Sequence, residues 1–523
     1  MSHTADPRPA ALPTVDGAAL GLTLEHTYAT ELVGLHAPWP PVPAPQPRLL
    51  ALNTELAAEL GLNAQALAGE SGLAVLSGQA LPEGAQPIAQ AYAGHQFGGF
   101  SPQLGDGRAL LLGEVIDTRG QRRDIAFKGS GRTPFSRGGD GKAAVGPVLR
   151  EYLMGEAMQA LGIPTTRALA AVATGEAVYR ERPLPGALLV RVASSHLRVG
   201  TFQFFAARQD TGKLQRLADY AIARHDPALA GQEGRYLRFF QGVAHRQAAL
   251  IAQWMGVGFI HGVMNTDNMT LSGETIDYGP CAFMDAYDPA TVFSSIDHHG
   301  RYAYANQPLI ARWNLARLAE ALLPLIDADT DRAIAQVSET VDAFEGLYQA
   351  QWLRQMRSKL GLTGESEREG ERAGIEADDT ALAEDFLALL QQHRVDFTQA
   401  FRALAEAAET GPDDAAALLG LLPTQGKAAM RSWLERWRPQ ALGAGRSPAQ
   451  VGAALRAVNP VYIPRNHLVE EALEAATERE DLTAFNALLA VLKSPFDEQP
   501  GQERYAQPGH PDLQAGYRTF CGT

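Results

Sequence analysis

Cysteine is almost missing from this chain: 523 residues contain two, Cys281 and Cys521. Two thiols build no disulfide framework, which points to the cytoplasm rather than a secreted scaffold. From spacing alone they read as two unrelated thiols, although Cys281 lies two residues past "DYG" and Cys521 is third from the end. Long hydrophobic runs are missing too. No stretch approaches the roughly 18 apolar residues of a membrane span. The N-terminus, "MSHTADPRPAALPTVDG", lacks the apolar core of a secretory signal. Net positive charge is absent, since 45 Lys and Arg stand against 59 Asp and Glu, a formal charge of −14. That argues against a general nucleic-acid binder, which needs a basic face, but leaves room for a local basic pocket around one nucleotide.

Apolar residues make up 46% of the chain, enough for sizeable cores. At about 100–200 residues per domain, two to four lobes are expected. Residues 38–47, "APWPPVPAPQ", read as an extended connector. "PRLLALNTELAAELGL" reads as a helix with Asn53 a candidate cap and Gly61 a stop. "GRALLLGEVID" and "QRRDIAFKG", parted by "TRG", carry a hairpin signal. "SGRTPFSRGGDGKAAVG" is too irregular for a regular element. "PVLREYLMGEAMQALGI" is an amphipathic helix with Pro147 in its first turn and Gly162 at its end. "ALAAVATGEAVYR" and "GALLVRVAS" are strand-like. From about residue 201 the chain is mostly helical, with "GESEREGERAGIEADD" expected as an exposed charged loop. A strand-rich portion followed by a larger helical one leaves a cleft between them as the natural ligand site.

Several pieces can carry chemistry. "GDGRALLLGE" enters a strand through a glycine turn whose bare backbone can approach a phosphate, or is a plain hairpin turn. Lys128 ends the strand "DIAFK", as in kinase-like folds where a strand lysine reaches nucleotide phosphates. Glu151 is the carboxylate that could direct it; the alternative is an unrelated surface pair. Arg191 and Arg198 are seven positions apart, so on a helix they would share a face and could grip a polyphosphate, or form a solvated basic face. "HGVMNTDN" aligns without gaps on the kinase catalytic loop H-R-D-L-x-x-x-N, placing Asn268 on its metal-binding asparagine. "MTLSGETI", expected as a short hairpin, then leads to Asp277 at the D-F-G aspartate. Asn268 and Asp277 supply the oxygens that a hard cation such as Mg²⁺ takes. Val263 stands where the kinase base would be, and valine accepts no proton. Asp267 is the only nearby carboxylate able to replace it. A bare Asx-rich turn also explains "NTDN". His298 and His299 lack metal-ligand spacing and are expected to be structural. "VNPVYIPRNH" has no evident role.

Together, "GHQFGGFSPQLGDGRALLLGE", "FKGSGRTPFSRGGDGKA", "LGIPTTRAL", "FIHGVMNTDNMTLSGETIDYGPCAFMD" and "GRYAYANQPLIARWNLARLAEAL" resemble the selenoprotein O family of protein adenylyltransferases. The likeness is dense from about residue 90 to 325 and looser to the C-terminus. It implies an α+β, protein-kinase-like bilobal fold: residues 1–90 an N-terminal extension, 91–200 a strand-containing N-lobe, 201–523 a larger, mostly helical C-lobe ending in the cysteine tail. It implies ATP bound in reverse and AMP, with UMP from UTP left open, passed to Ser, Thr or Tyr hydroxyls of target proteins or of the chain itself, without nucleic acid or membrane. By the same likeness Lys128 and Glu151 form an ion pair, and Gly105, Gly107, Arg108, Asp140 and Gly141 contact nucleotide. Arg191 and Arg198 hold phosphates, Asn268 and Asp277 hold Mg²⁺ or Mn²⁺, and Asp267 accepts the proton. Some relatives pair two cysteines at the places of Cys281 and Cys521. A kinase-like phosphotransferase and an inactive nucleotide-binding scaffold remain the alternatives.

Overall fold

The computed structural model describes residues 12–362 and 372–520. Its strand-rich portion is an antiparallel sheet of β1 (His36–Pro38), β2 (Arg48–Leu52), β3 (Ile88–Gln90), β4 (Ala109–Ile116), β5 (Arg122–Lys128), β6 (Ala143–Ala144), β7 (Arg167–Tyr179) and β8 (Pro183–Ala193). The order is β1-β3-β4-β5-β8-β7-β2, with β6 also on β8. Three of these strands precede residue 91, so the sheet runs across the division drawn there from the sequence.

Period-two alternation decides what each face carries. Leu188, Val190 and Val192 pack with Ile125 and Phe127 under the short helices Thr54–Glu59 and Glu70–Leu76. Ala187 and Leu189 face the other way, onto Leu149, Tyr152 and Leu153 of α1 (Val145–Ala160). Trimming Leu149 or Leu153, both fully buried, to alanine costs about 2–5 kcal/mol. Lys128 and Arg191 alternate with Phe127 and Val190, so both side chains emerge on the α1 side.

The helical portion holds α2 (Val199–Ala206), α3 (Thr211–His225), α4 (Arg235–Val257), α5 (Gln307–Ile326), α6 (Thr330–Lys359), α7 (Arg372–His393), α8 (Phe397–Thr410), α9 (Thr424–Ala441), α10 (Pro448–Val458), α11 (Asn466–Arg479) and α12 (Thr483–Leu492). The long α4 is central and packs on α5 and α6, while α11 and α12 reach back to α1. Among the described residues no helix is long and apolar enough to cross a membrane.

The hairpin at 109–128 and the helix after Pro147 form as expected, and Asn53 caps its helix by accepting from Leu56 N at 3.1 Å. Three expectations are corrected. Residues 48–52 are a strand, because β7 offers an open edge at Ala170–Ala173, and the helix starts only at Thr54. The charged stretch expected as a loop is helical from Arg372, and its residues 364–371 lie outside the described part. "MTLSGETI" is no ladder: Thr270 Oγ1 donates to Glu274 O and accepts from Glu274 N, closing a turn.

Candidate active site

Between α4 and α5 a two-strand bridge, Phe259–Ile260 against Ala282–Phe283, brings both ends of residues 259–283 together. This sets His261–Asn268 beside Asp277–Gly279. His261 Nε2 donates to Ile276 O at 2.8 Å, tying the two halves directly. Gly262 has φ +80°, and a Cβ there would lie 2.4 Å from Pro280 O, so a side chain is excluded at the position of the kinase arginine. Asp277 itself has φ +62°, a left-handed conformation costing about 1–3 kcal/mol for most non-glycine residues and typical of functional positions.

Asp277 collects three cations. Lys128 Nζ lies 2.6 Å and Arg191 Nη1 2.8 Å from Oδ1, and Arg198 Nη1 lies 3.3 Å from Oδ2. Glu151 completes the cluster, 2.5 Å from Lys128 and 3.0 Å from Arg191. Burial works to raise both carboxyls, but the adjacent cations outweigh it: Glu151 is lowered, and Asp277 falls well below the usual carboxylate range. The seven-residue spacing of Arg191 and Arg198 thus converges, though not through a helix. Arg191 projects from β8 and Arg198 precedes the first turn of α2. Behind Arg191, His196 accepts from its Nε at 3.2 Å while Nδ1 faces Asp124 Oδ2 at 3.0 Å, and Asp124 pairs with Arg224 at 2.6 Å. Arg198 stacks on Tyr92, 4.6 Å to the ring centroid, and donates to Asp267 O at 3.0 Å.

Asp267 and Asn268 sit on a single 3₁₀ turn, Thr266–Asn268. Burial pushes the Asp267 carboxyl up to about 6, against the pull of Arg198. Its Oδ1 is buried without a hydrogen-bond partner among the described residues. Asn268 Nδ2 donates to Val263 O at 3.0 Å, which leaves its oxygen as the uncommitted end. Val263 lines the same cleft as Asp267 and Asn268. An amide oxygen and the Asp277 carboxylate suit a hard cation whose remaining ligands are phosphates and water. Among the described residues no three His, Cys, Asp or Glu side chains form a metal cluster of their own.

The cleft has a volume of about 1320 Å³. Gly105, Gly107 and Arg108 form one wall, where Gly105 has φ +76° and a Cβ would strike the Phe135 ring at 2.4 Å. Asp140 and Gly141 also line the cleft. The Asp140 carboxylate is engaged by Arg180 at 2.7 Å and by Lys142 N at 3.0 Å. Cys281 is a buried free thiol, pushed up to about 12 chiefly by burial. Cys521 lies outside the described residues, but the tail leading to it reaches this region: Thr519 Oγ1 donates to Pro280 O at 2.7 Å. His298 and His299 are exposed.

Three supporting groups escaped the sequence reading. Arg150, next to Glu151, donates to Cys281 O at 3.1 Å and to Tyr517 Oη at 3.0 Å, linking α1 to the C-terminal tail. His196 braces Arg191. Arg465, in "VNPVYIPRNH", is fully buried and binds Asp285 at 2.5 Å and Asp396 at 2.6 Å, while Asn466 donates to Phe283 O at 2.9 Å. Only the unexplained density of Pro and Asn in that motif hinted at a role.

Comparison with known proteins identifies the family. A family model described as "Protein adenylyltransferase SelO" matches residues 22–493. A relative from Chromobacterium violaceum, named protein nucleotidyltransferase YdiU, is 62% identical over 489 residues, covering 93% of this chain and 99% of that protein. Equally named proteins from Cereibacter sphaeroides and Rhizobium johnstonii are 60% identical over 500 residues (95% and 99% covered) and 54% over 516 (99% and 98%).

Proposed function

The chain belongs to the SelO family of protein adenylyltransferases, and from that premise we propose that it moves AMP from ATP to Ser, Thr or Tyr hydroxyls of target proteins, itself included, in the cytoplasm. UMP from UTP is the variant of the same chemistry. The strand-rich and helical portions are read as the lobes of a protein-kinase-like fold, with Lys128 and Glu151 its ion pair.

One observation carries this reading. Lys128, Arg191 and Arg198 converge on Asp277 beside a buried, partly unpartnered carboxylate, Asp267, while valine fills the kinase base position. Three cations around one carboxylate form a site for several phosphates, since guanidinium forks match phosphate oxygens. Asn268 and Asp277 would hold Mg²⁺ or Mn²⁺, which supplies charge neutralisation on the phosphates when bound. Arg191 and Arg198 stabilise the negative charge that grows on the leaving group. The glycine wall at Gly105–Arg108, with Asp140 and Gly141, borders the nucleotide. The acceptor oxygen attacks the α-phosphorus, the bond to the bridging oxygen breaks, and pyrophosphate leaves. Asp267 takes the hydroxyl proton. A carboxyl pushed up to about 6 is a better base than an ordinary one and still ionised at neutral pH.

The test is incubation of the protein and Mg²⁺ with ATP labelled at either the α or the γ phosphate. Label from the α position alone is expected on protein. Label from the γ position would make the enzyme a phosphotransferase, and ATP binding without label would make it a scaffold.

A further inference from the structure

A short hairpin, Gly94–Gln96 paired with Gly99–Ser101, lies over the catalytic turn. Three successive hairpin residues hold three successive residues below. His95 N donates to Thr266 Oγ1 at 2.7 Å, Gln96 Nε2 to Asp267 Oδ2 at 3.3 Å, and Phe97 N to Asn265 Oδ1 at 3.0 Å. Each flanking anchor is itself braced: Thr266 donates to Gln203 Oε1 at 2.7 Å, and Asn265 Oδ1 also accepts from Tyr302 Oη at 2.6 Å. Phe97 is held at φ +51°, a strained conformation for an aromatic residue that persists only where the surroundings enforce it. Gly94 completes the fit, because a Cβ there would lie 2.7 Å from Asp267 Oδ1.

The consequence falls on the two oxygens of one carboxylate. Oδ2 receives the Gln96 amide, while Oδ1 is buried and keeps its lone pairs free. A carboxylate packed against Gly94 at one oxygen and held by the Gln96 amide at the other cannot swing about its bond, and a fixed direction is what a proton acceptor needs. We propose that this hairpin is a clamp on the catalytic turn and that Gln96 is its positioning residue, orienting Asp267 toward the acceptor hydroxyl. The inference rests on Asp267 being the proton acceptor. Gln96 acts through Asp267: it lines the same cleft, and among the described residues no hydrogen bond joins it to Lys128, Glu151, Arg191 or Arg198.

The experiment uses the full chain, Mg²⁺ and α-labelled ATP, with self-labelling as readout and Gln96→Met, Asp267→Ala and the double variant compared. Methionine keeps the length of glutamine and removes the donor. Gln96→Met is expected to lower the maximal initial rate about tenfold, the worth of one hydrogen bond to a charged group, with KM for ATP and the thermal midpoint unchanged. On the Asp267→Ala background it should cause no further loss, since the two residues act as one unit. A wild-type rate in Gln96→Met, a change confined to KM, or a full additional loss in the double variant overturns the proposal. Wild-type labelling by Asp267→Ala would instead remove the base assignment beneath it, and is told apart by that single variant alone.

Discussion

Replacing Asp277 by asparagine tests the centre of the site with little disturbance of the backbone. Asparagine tolerates left-handed φ nearly as well as aspartate, so φ +62° is retained and only charge is lost. Lys128 and Arg191 then keep Glu151 as their carboxylate partner, while Arg198 keeps the Asp267 carbonyl. Removing one partner of a buried ion pair costs about 3–5 kcal/mol. Because the Asp277 side chain keeps 19% exposure, about 2–3 kcal/mol of stability is the expected loss. The catalytic loss is larger in effect, since the proposed metal site loses its carboxylate. By analogy with one preorganised electrostatic partner, labelling from α-labelled ATP should fall about 100- to 1000-fold, or roughly 3–4 kcal/mol in the barrier. Asp277→Ala should abolish labelling and unfold more readily still, by roughly 1–2 kcal/mol, because alanine pays the left-handed penalty in full. Initial-rate labelling at saturating Mg²⁺ and thermal unfolding of the three proteins measure both quantities. Labelling by Asp277→Asn within threefold of wild type would refute the metal assignment and with it the account of why the three cations converge.

Other outcomes follow from the same geometry. Burial, with Arg191 and Arg198 nearby, lowers the His196 pKa despite its Asp124 partner. A histidine neutral in the fold takes up its proton only on unfolding, so its stability contribution is complete above the unfolded value of about 6.5 and declines below it, by at most about 1.4 kcal/mol per pH unit. Urea midpoints at pH 7.5 and 5.5 should therefore diverge more for wild type than for His196→Gln, and equal shifts would count against the neutral ring. Arg465→Met leaves Asp285 and Asp396 facing each other in the core, and should lose about 3–5 kcal/mol together with labelling, whereas unchanged denaturation would show the triad to be dispensable. If Cys281 and Cys521 pair under oxidising conditions, dithiothreitol should raise the labelling rate of the wild type and leave Cys521→Ser unaffected; identical rates with and without reductant in the wild type would dismiss the pairing.

What local sequence determined here is what depends on near neighbours. Two short apolar runs parted by a turn marked the hairpin at 109–128, because its strands pair across only a few residues. Asn53 announced its cap, and Pro147 and Gly162 bracketed α1, because helix ends are satisfied within a few residues. The ordered motifs from Lys128 to Asp277, and valine at position 263, pointed to nucleotide chemistry without the kinase base. Tertiary structure alone decided how distant charges meet. Residues 48–52 became a strand because β7 had an open edge. Arg191 and Arg198 converged from a strand and a helix start, not from one helical face. His196, Gln96 and Arg465 gained their roles from partners that lie, for Arg465 and Asp285, 180 positions apart. Periodicity reports only on neighbours within a turn or two, whereas a buried charge is stabilised by whatever opposite charge the whole chain delivers to it.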